Sequence, residues 1–112
     1  MQKDYISDIV DELKTMNPSK IILFGSCTHD KPSPNSDIDL VVVTNADFYP
    51  RNYQERMDVQ LRVSKILNDI IKKVPIDLIV YTKPMYKRFL ELNSIFAQEI
   101  NTNGKLLYED HN

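Results

Sequence analysis

The chain has 112 residues, 42% apolar and 27% charged, a balance that predicts one globular domain over residues 1–112 and leaves no room for a separate substrate domain. A formal net charge of −2 argues against a polymeric nucleic-acid partner, whose phosphates call for a broad basic surface. There is no signal-peptide core, no run of membrane length and a single cysteine, Cys27, so the expected protein is cytoplasmic, without membrane contact or internal disulfide.

Ile6, Ile9, Val10, Leu13 and Met16 recur at helical spacing and predict an opening amphipathic helix that Asn17-Pro18 ends. Ile21 to Phe24 reads as a short buried strand stopping at Gly25-Ser26, and Cys27 to Asn35, with Pro32 and Pro34, reads as a loop. Asp37 to Thr44 is the second strand, antiparallel to the first because the connection is too short for a crossover helix. A loop over Asn45 to Tyr53 precedes a long helix whose apolar face is Val59, Val63, Ile66, Leu67, Ile70, Ile71 and Val74. Pro75 breaks that helix, and Ile76 to Tyr81 becomes a third strand, reached after enough helix to run parallel to the second. Pro84 suits the first turn of a last helix with the stripe Met85, Phe89, Leu92, Phe96 and Ile100. Asn103-Gly104 predicts a left-handed C-terminal cap, and Leu106 to Tyr108 a short edge strand. The order αββαβα(β) implies an α/β (α+β) sandwich, with a mixed β-sheet of three to four strands packed against helices.

Three features on adjoining strands carry chemistry. Asp37 and Asp39 open the most apolar run of the chain, and residues two apart on a strand share a face. Two carboxylates that close repel unless a cation lies between them, which makes the pair a divalent-metal candidate. Gly25-Ser26 ends the preceding strand, where a missing side chain and exposed amides suit a phosphate. Asp77 interrupts an apolar strand in Ile76-Asp77-Leu78, repeating Ile38-Asp39-Leu40, and also calls for a compensating partner. If the third strand lies beside the second, three carboxylates share one face and can hold two Mg²⁺ ions roughly 3.5–4 Å apart.

Gly25-Ser26 followed by Asp37-Ile38-Asp39-Leu40 resembles the signature of the DNA polymerase β-type nucleotidyltransferase superfamily, and within it the minimal (MNT-domain, antitoxin-like) branch. The resemblance spans nearly the whole chain and implies the nucleotidyltransferase fold. It also implies that Gly25 and Ser26 bind the nucleotide triphosphate, that Asp37 and Asp39 bind Mg²⁺, and that Asp77 completes the metal and catalytic site. The implied activity is Mg²⁺-dependent transfer of a nucleoside monophosphate, AMP from ATP, to an acceptor hydroxyl. The implied acceptor is a small helical HEPN-type toxin, modified on tyrosine; the sequence does not specify the oligomeric state, and a homo-oligomer is compatible with it. One departure stands out: many relatives carry Arg-Gly where this chain has His29-Asp30. Asp30 facing inward would repel a triphosphate, with Lys31 available to compensate.

Plainer readings compete at each position. An Asp-x-Asp pair also suits a solvated strand start, Asp77 a solvated edge strand and Ser26 a helix cap. Cys27 and His29 read as loop residues, the Met85 to Ile100 stripe as core, and Lys72-Lys73 and Lys87-Arg88 as solvated helix positions. Asp58 and Asp69 fall on the long helix, poorly placed for a sheet-borne metal. Haloacid-dehalogenase-type phosphatases place the apolar strand before their aspartates, metal-dependent glycosyltransferases are larger, and EF-hand spacing is absent. The alternative function is a non-catalytic module that neutralises its partner by binding, and the His29-Asp30 departure points that way.

Overall fold

Lys20–Phe24 (β1) and Ile38–Val43 (β2) are buried on both sides, and so they read as continuous apolar runs instead of alternating ones. In the computed structural model, which describes residues 5–25 and 38–110, they are the two central strands of a four-stranded sheet ordered β3-β2-β1-β4. Ile76–Tyr81 (β3) pairs parallel with β2, and Lys105–Glu109 (β4) pairs antiparallel with β1 across a register shift between Ile21 and Ile22. The predicted mixed sheet, including the edge strand, is the observed one.

Helices cover both faces. Tyr5–Leu13 (α1) continues into a 3-10 turn over Lys14–Met16, which Asn17 ends in the left-handed conformation at φ 51°. Ile9 and Leu13 of α1 join Leu40 and Val42 of the sheet, with Val63 of Tyr53–Ile66 (α2) and Ile70 of Asn68–Ile71 (α3), in one core. The other face packs Ile22, Val41 and Val43 against Tyr86 of Lys83–Leu92 (α4) and Ile100 of Ile95–Asn103 (α5). Aromatic rings extend this second core, with Tyr81 and Phe89 stacked at a centroid distance of 5.2 Å and Phe89 and Phe96 edge-on at 5.7 Å.

Three predicted elements differ. The long helix breaks at Leu67, whose ψ of 6° ends α2 before α3 begins. The break shifts the helical phase, leaving Ile71 exposed although its spacing put it on the core face. The last helix is two helices: Asn93 adopts φ 46°, and the Ser94 hydroxyl accepts from the Ala97 N–H at 3.1 Å to start α5. Asparagine tolerates left-handed backbone and serine is a strong N-cap, so the pair stops one helix and starts the next. Leu92 consequently turns outward at 62% exposure. Gly104 is extended, with φ −68°, and is no left-handed cap. A Cβ there would strike the Ile100 carbonyl oxygen and lie 3.0 Å from Ile22 Cγ2, so the glycine serves the close approach of α5 to β1.

Removing the start of α5 with Ser94→Ala should cost about 1 kcal/mol in urea denaturation. Alkaline pH tests the ring stack. Burial pushes the Tyr81 hydroxyl above the ordinary phenol value of 10.0, with Arg56 pulling it partly back. Burial, then Tyr81 and Glu109, push Tyr86 upward. The folded state therefore favours the neutral phenols over the unfolded chain. That stabilisation is fully present below about pH 10 and is lost as the pH climbs through the raised folded-state values. Urea midpoints measured across this window should fall less steeply in Tyr86→Phe.

Candidate active site

The parallel register of β2 and β3 places Ile38 opposite Ile76, Asp39 opposite Asp77 and Leu40 opposite Leu78. Alternation then sends Asp39 and Asp77 to the same face as Val41, Val43, Ile79 and Tyr81, the face that α4 and α5 cover further along the strands. Neighbouring strands lie about 4.8 Å apart, so the two side chains start next to each other. Asp39 is half-buried and Asp77 exposed. Adjacent carboxylates at the mouth of an apolar sheet repel, and a hard divalent cation with oxygen ligands is the chemical group that such a donor pair accepts.

The antiparallel side of β2 completes the surroundings. Phe24 lies opposite Asp39, and its ring meets Phe96 of α5 edge-on at 5.4 Å. The next residue, Gly25, has φ 77°, in the region where glycine is at ease. A Cβ on Gly25 would overlap Oδ2 of Asp39 and sit 3.1 Å from its Cγ. The missing side chain is thus the space into which the Asp39 carboxylate fits.

Of the residues expected at the site, Gly25, Asp39 and Asp77 are brought together. Ser26 and Asp37, with His29, Asp30 and Lys31 of the departing loop, lie outside the described residues. Among the described residues no group of three or more His, Cys, Asp or Glu side chains is positioned to hold a metal; the register supplies a pair. Asp58 and Asp69 belong to α2 and α3, whose core residues pack on the opposite face of the sheet.

Two clefts lie away from the carboxylates. One, of about 460 Å³, is lined by Arg51, Arg56 and Arg88 together with Tyr49, Tyr53 and Tyr81 among others. The second, of about 410 Å³, includes Met16, Glu55, Asp58 and Arg62 in its wall. Neither includes Asp39 or Asp77 among its described lining residues; the strand register is what brings that pair together. The three arginines of the larger cleft are a feature that the linear pattern hid. They sit on a loop and on two helices far apart in the chain, and Arg88 on its own reads as a solvated helix position.

Gly25→Ala tests the fit between the turn and the carboxylate. It should lower stability by about 1–2 kcal/mol for the left-handed backbone alone, and by more if Asp39 cannot yield. An unchanged urea midpoint would mean that the turn relaxes without strain.

Comparison with known proteins fits this arrangement. A family model described as polymerase beta, nucleotidyltransferase matches residues 7–112. Among solved structures, a double Asp-to-Glu mutant of the toxin–antitoxin MntA–HpeT aligns at TM-score 0.54 and 20% identity, over 94% of this chain and 73% of that one. A toxin–antitoxin crystallised with AMP-PNP aligns at TM-score 0.55 and 22% identity, with the same 94% and 73% coverage. A Tyr-to-Ala mutant of MntA–HpeT gives TM-score 0.55 and 20% identity over 98% and 76%. At these identities the structural matches speak for the fold, while the family model covers nearly every residue. The chain belongs to the polymerase β nucleotidyltransferase family.

Proposed function

We propose that this protein transfers a nucleoside monophosphate, AMP from ATP, to a hydroxyl on a partner protein and releases pyrophosphate, as the antitoxin of a helical HEPN-type toxin. The observation that carries the reading is the Asp39–Asp77 register pair beside Gly25. The structural neighbours described as toxin–antitoxin complexes, one of them with AMP-PNP, support the choice of partner and nucleotide.

In this reading Asp37, Asp39 and Asp77 hold Mg²⁺, and Gly25 and Ser26 receive the triphosphate. Bound there, the ions supply positive charge against the phosphate oxygens and lower the pKa of the acceptor hydroxyl. The acceptor oxygen bonds to the α-phosphorus as the bond to the β-phosphate bridging oxygen breaks. Pyrophosphate leaves with that electron pair, and the hydroxyl proton passes to a nearby carboxylate or to water. Gly25 contributes by leaving the space in which the Asp39 carboxylate is oriented, and the Phe24–Phe96 contact walls the site on its apolar side. The protein acts in the cytoplasm, and among its described residues no helix is long and apolar enough to cross a membrane.

A second reading keeps the fold and loses the turnover: the protein occludes its partner without modifying it. The His29-Asp30 pair, in place of Arg-Gly, is the feature that favours it. Labelled ATP, Mg²⁺ and the product of the adjacent gene separate the two. Label should move to the partner, and Asp39→Asn or Asp77→Asn should cut transfer by more than about 100-fold, beyond the typical loss for a group outside the metal's direct ligands. Chelation with EDTA should stop it. Tight complex formation without label transfer would favour occlusion.

A further inference from the structure

The larger cleft lies at the free edge of β3, between the first turn of α2 and one side of α4. Arg51, Arg56 and Arg88 line it and, among the described residues, no carboxylate does, although the whole chain carries a net charge of −2. The acid closest in sequence is turned elsewhere. The Glu55 carboxylate accepts from the Arg51 backbone N–H at 2.7 Å, while the Asn52 side chain accepts from the Glu55 N–H at 2.9 Å. These two bonds fix the start of α2 and engage the Glu55 carboxylate with a backbone N–H. The positive end of the α2 dipole opens at the same place and adds to the field.

The apolar part of the lining is equally particular. Tyr49 is 57% exposed, Tyr53 74% and Leu92 62%, beside the stacked rings of Tyr81 and Phe89. Arginine, tyrosine and methionine with no lysine, glutamate or aspartate is the composition of the buried centre of a protein–protein contact. Exposed aromatic and aliphatic side chains gathered around charged groups in this way form the kind of patch that marks an interaction surface. Position completes the argument. Tyr81 lies on the same strand and face as Asp77, four residues further on, a separation of about 13 Å.

We infer that the Arg51–Arg56–Arg88 cleft docks an acidic, aromatic-bearing segment of the acceptor protein, holding a hydroxyl a few residues further along that segment at the Asp39–Asp77 pair. This rests on the reading that the acceptor is a protein. Acceptor choice then belongs to a surface separate from the metal site, on the edge strand that carries Asp77.

The test measures docking without nucleotide. Fluorescence anisotropy of the full chain is read against a labelled glutamate–tyrosine copolymer, a lysine–tyrosine copolymer and a single-stranded RNA dodecamer, at low and high salt. The glutamate–tyrosine copolymer should bind, should weaken as salt screens the arginines, and should lose at least about tenfold affinity in Arg56→Glu/Arg88→Glu. Arg56→Gln/Arg88→Gln, with the same circular dichroism as the unaltered chain, should show a smaller loss in the same direction. Equal binding by the unaltered chain and both variants would overturn the proposal, as would no binding of the acidic copolymer. Preference for RNA with the same arginine dependence would also overturn it, making the cleft a nucleic-acid site. Arginine-dependent copolymer binding with no label transfer to any protein would retain the docking site and remove the transferase reading. Label transfer that both arginine variants leave unchanged would do the reverse.

Discussion

The parallel pairing of β2 with β3 is the constraint on which the candidate chemistry depends. Its register is held at both ends: the Ile38 N–H donates to the Pro75 carbonyl at 3.0 Å, and the Thr44 N–H donates to the Tyr81 carbonyl at 2.8 Å. Between these bonds the two strands carry matching triplets, Ile38-Asp39-Leu40 against Ile76-Asp77-Leu78. A slip of one residue would turn Asp77 toward the α1–α3 core and Ile76 and Leu78 toward the mouth of the site. Burying an unpaired carboxylate there is far costlier than any contact it would gain. The hydrophobic effect on one face therefore sets the position of the carboxylates on the other.

The rest of the fold leaves that pair accessible. The helices on the second face, α4 and α5, pack over Val41, Val43 and Tyr81 and so cover the sheet beyond the aspartates. The interruption at Asn93-Ser94 redirects the chain so that Phe96 reaches Phe24, the residue opposite Asp39. An unbroken helix would have continued along the axis of α4 instead. Gly25 then ends β1 with no side chain, and the Asp39 carboxylate takes that space. The Phe24–Phe96 contact, Gly25 and the two carboxylates thus meet where β1 ends and β2 and β3 begin.

Charge is arranged as deliberately as packing. The carboxylate pair and the arginine cleft occupy the two ends of β3, the first the proposed cation site and the second the proposed docking surface. The capping interactions of Asn52 and Glu55 connect local helix chemistry to this larger pattern, because they fix the start of α2, where Arg51 stands, and engage the Glu55 carboxylate with the backbone. A net charge near zero conceals this separation, since it averages over surfaces of opposite sign.

Much of the architecture could be read from residue order. The bounds of β3, the antiparallel β1–β2 pair and the parallel β2–β3 pair follow from run length, connection length and proline placement, all of which act locally. That Gly25, Asp39 and Asp77 stand near one another was legible for a related reason: a glycine at a strand end and an acid inside an apolar strand each violate local preference. The helix breaks at Leu67 and Asn93, and the extended Gly104, were not legible. Apolar spacing runs straight through the first two, and Gly104 answers to the Ile100 carbonyl of its own helix and to Ile22 of β1. The arginine cleft was hidden most completely, because Arg51, Arg56 and Arg88 share no periodicity and meet only when α2 and α4 pack on opposite sides of β3. Sequence by itself determined which segments form strands and where they conflict with their own burial. Tertiary structure alone decided which distant side chains share a surface, because that depends on how elements cross in space and on no spacing along the chain.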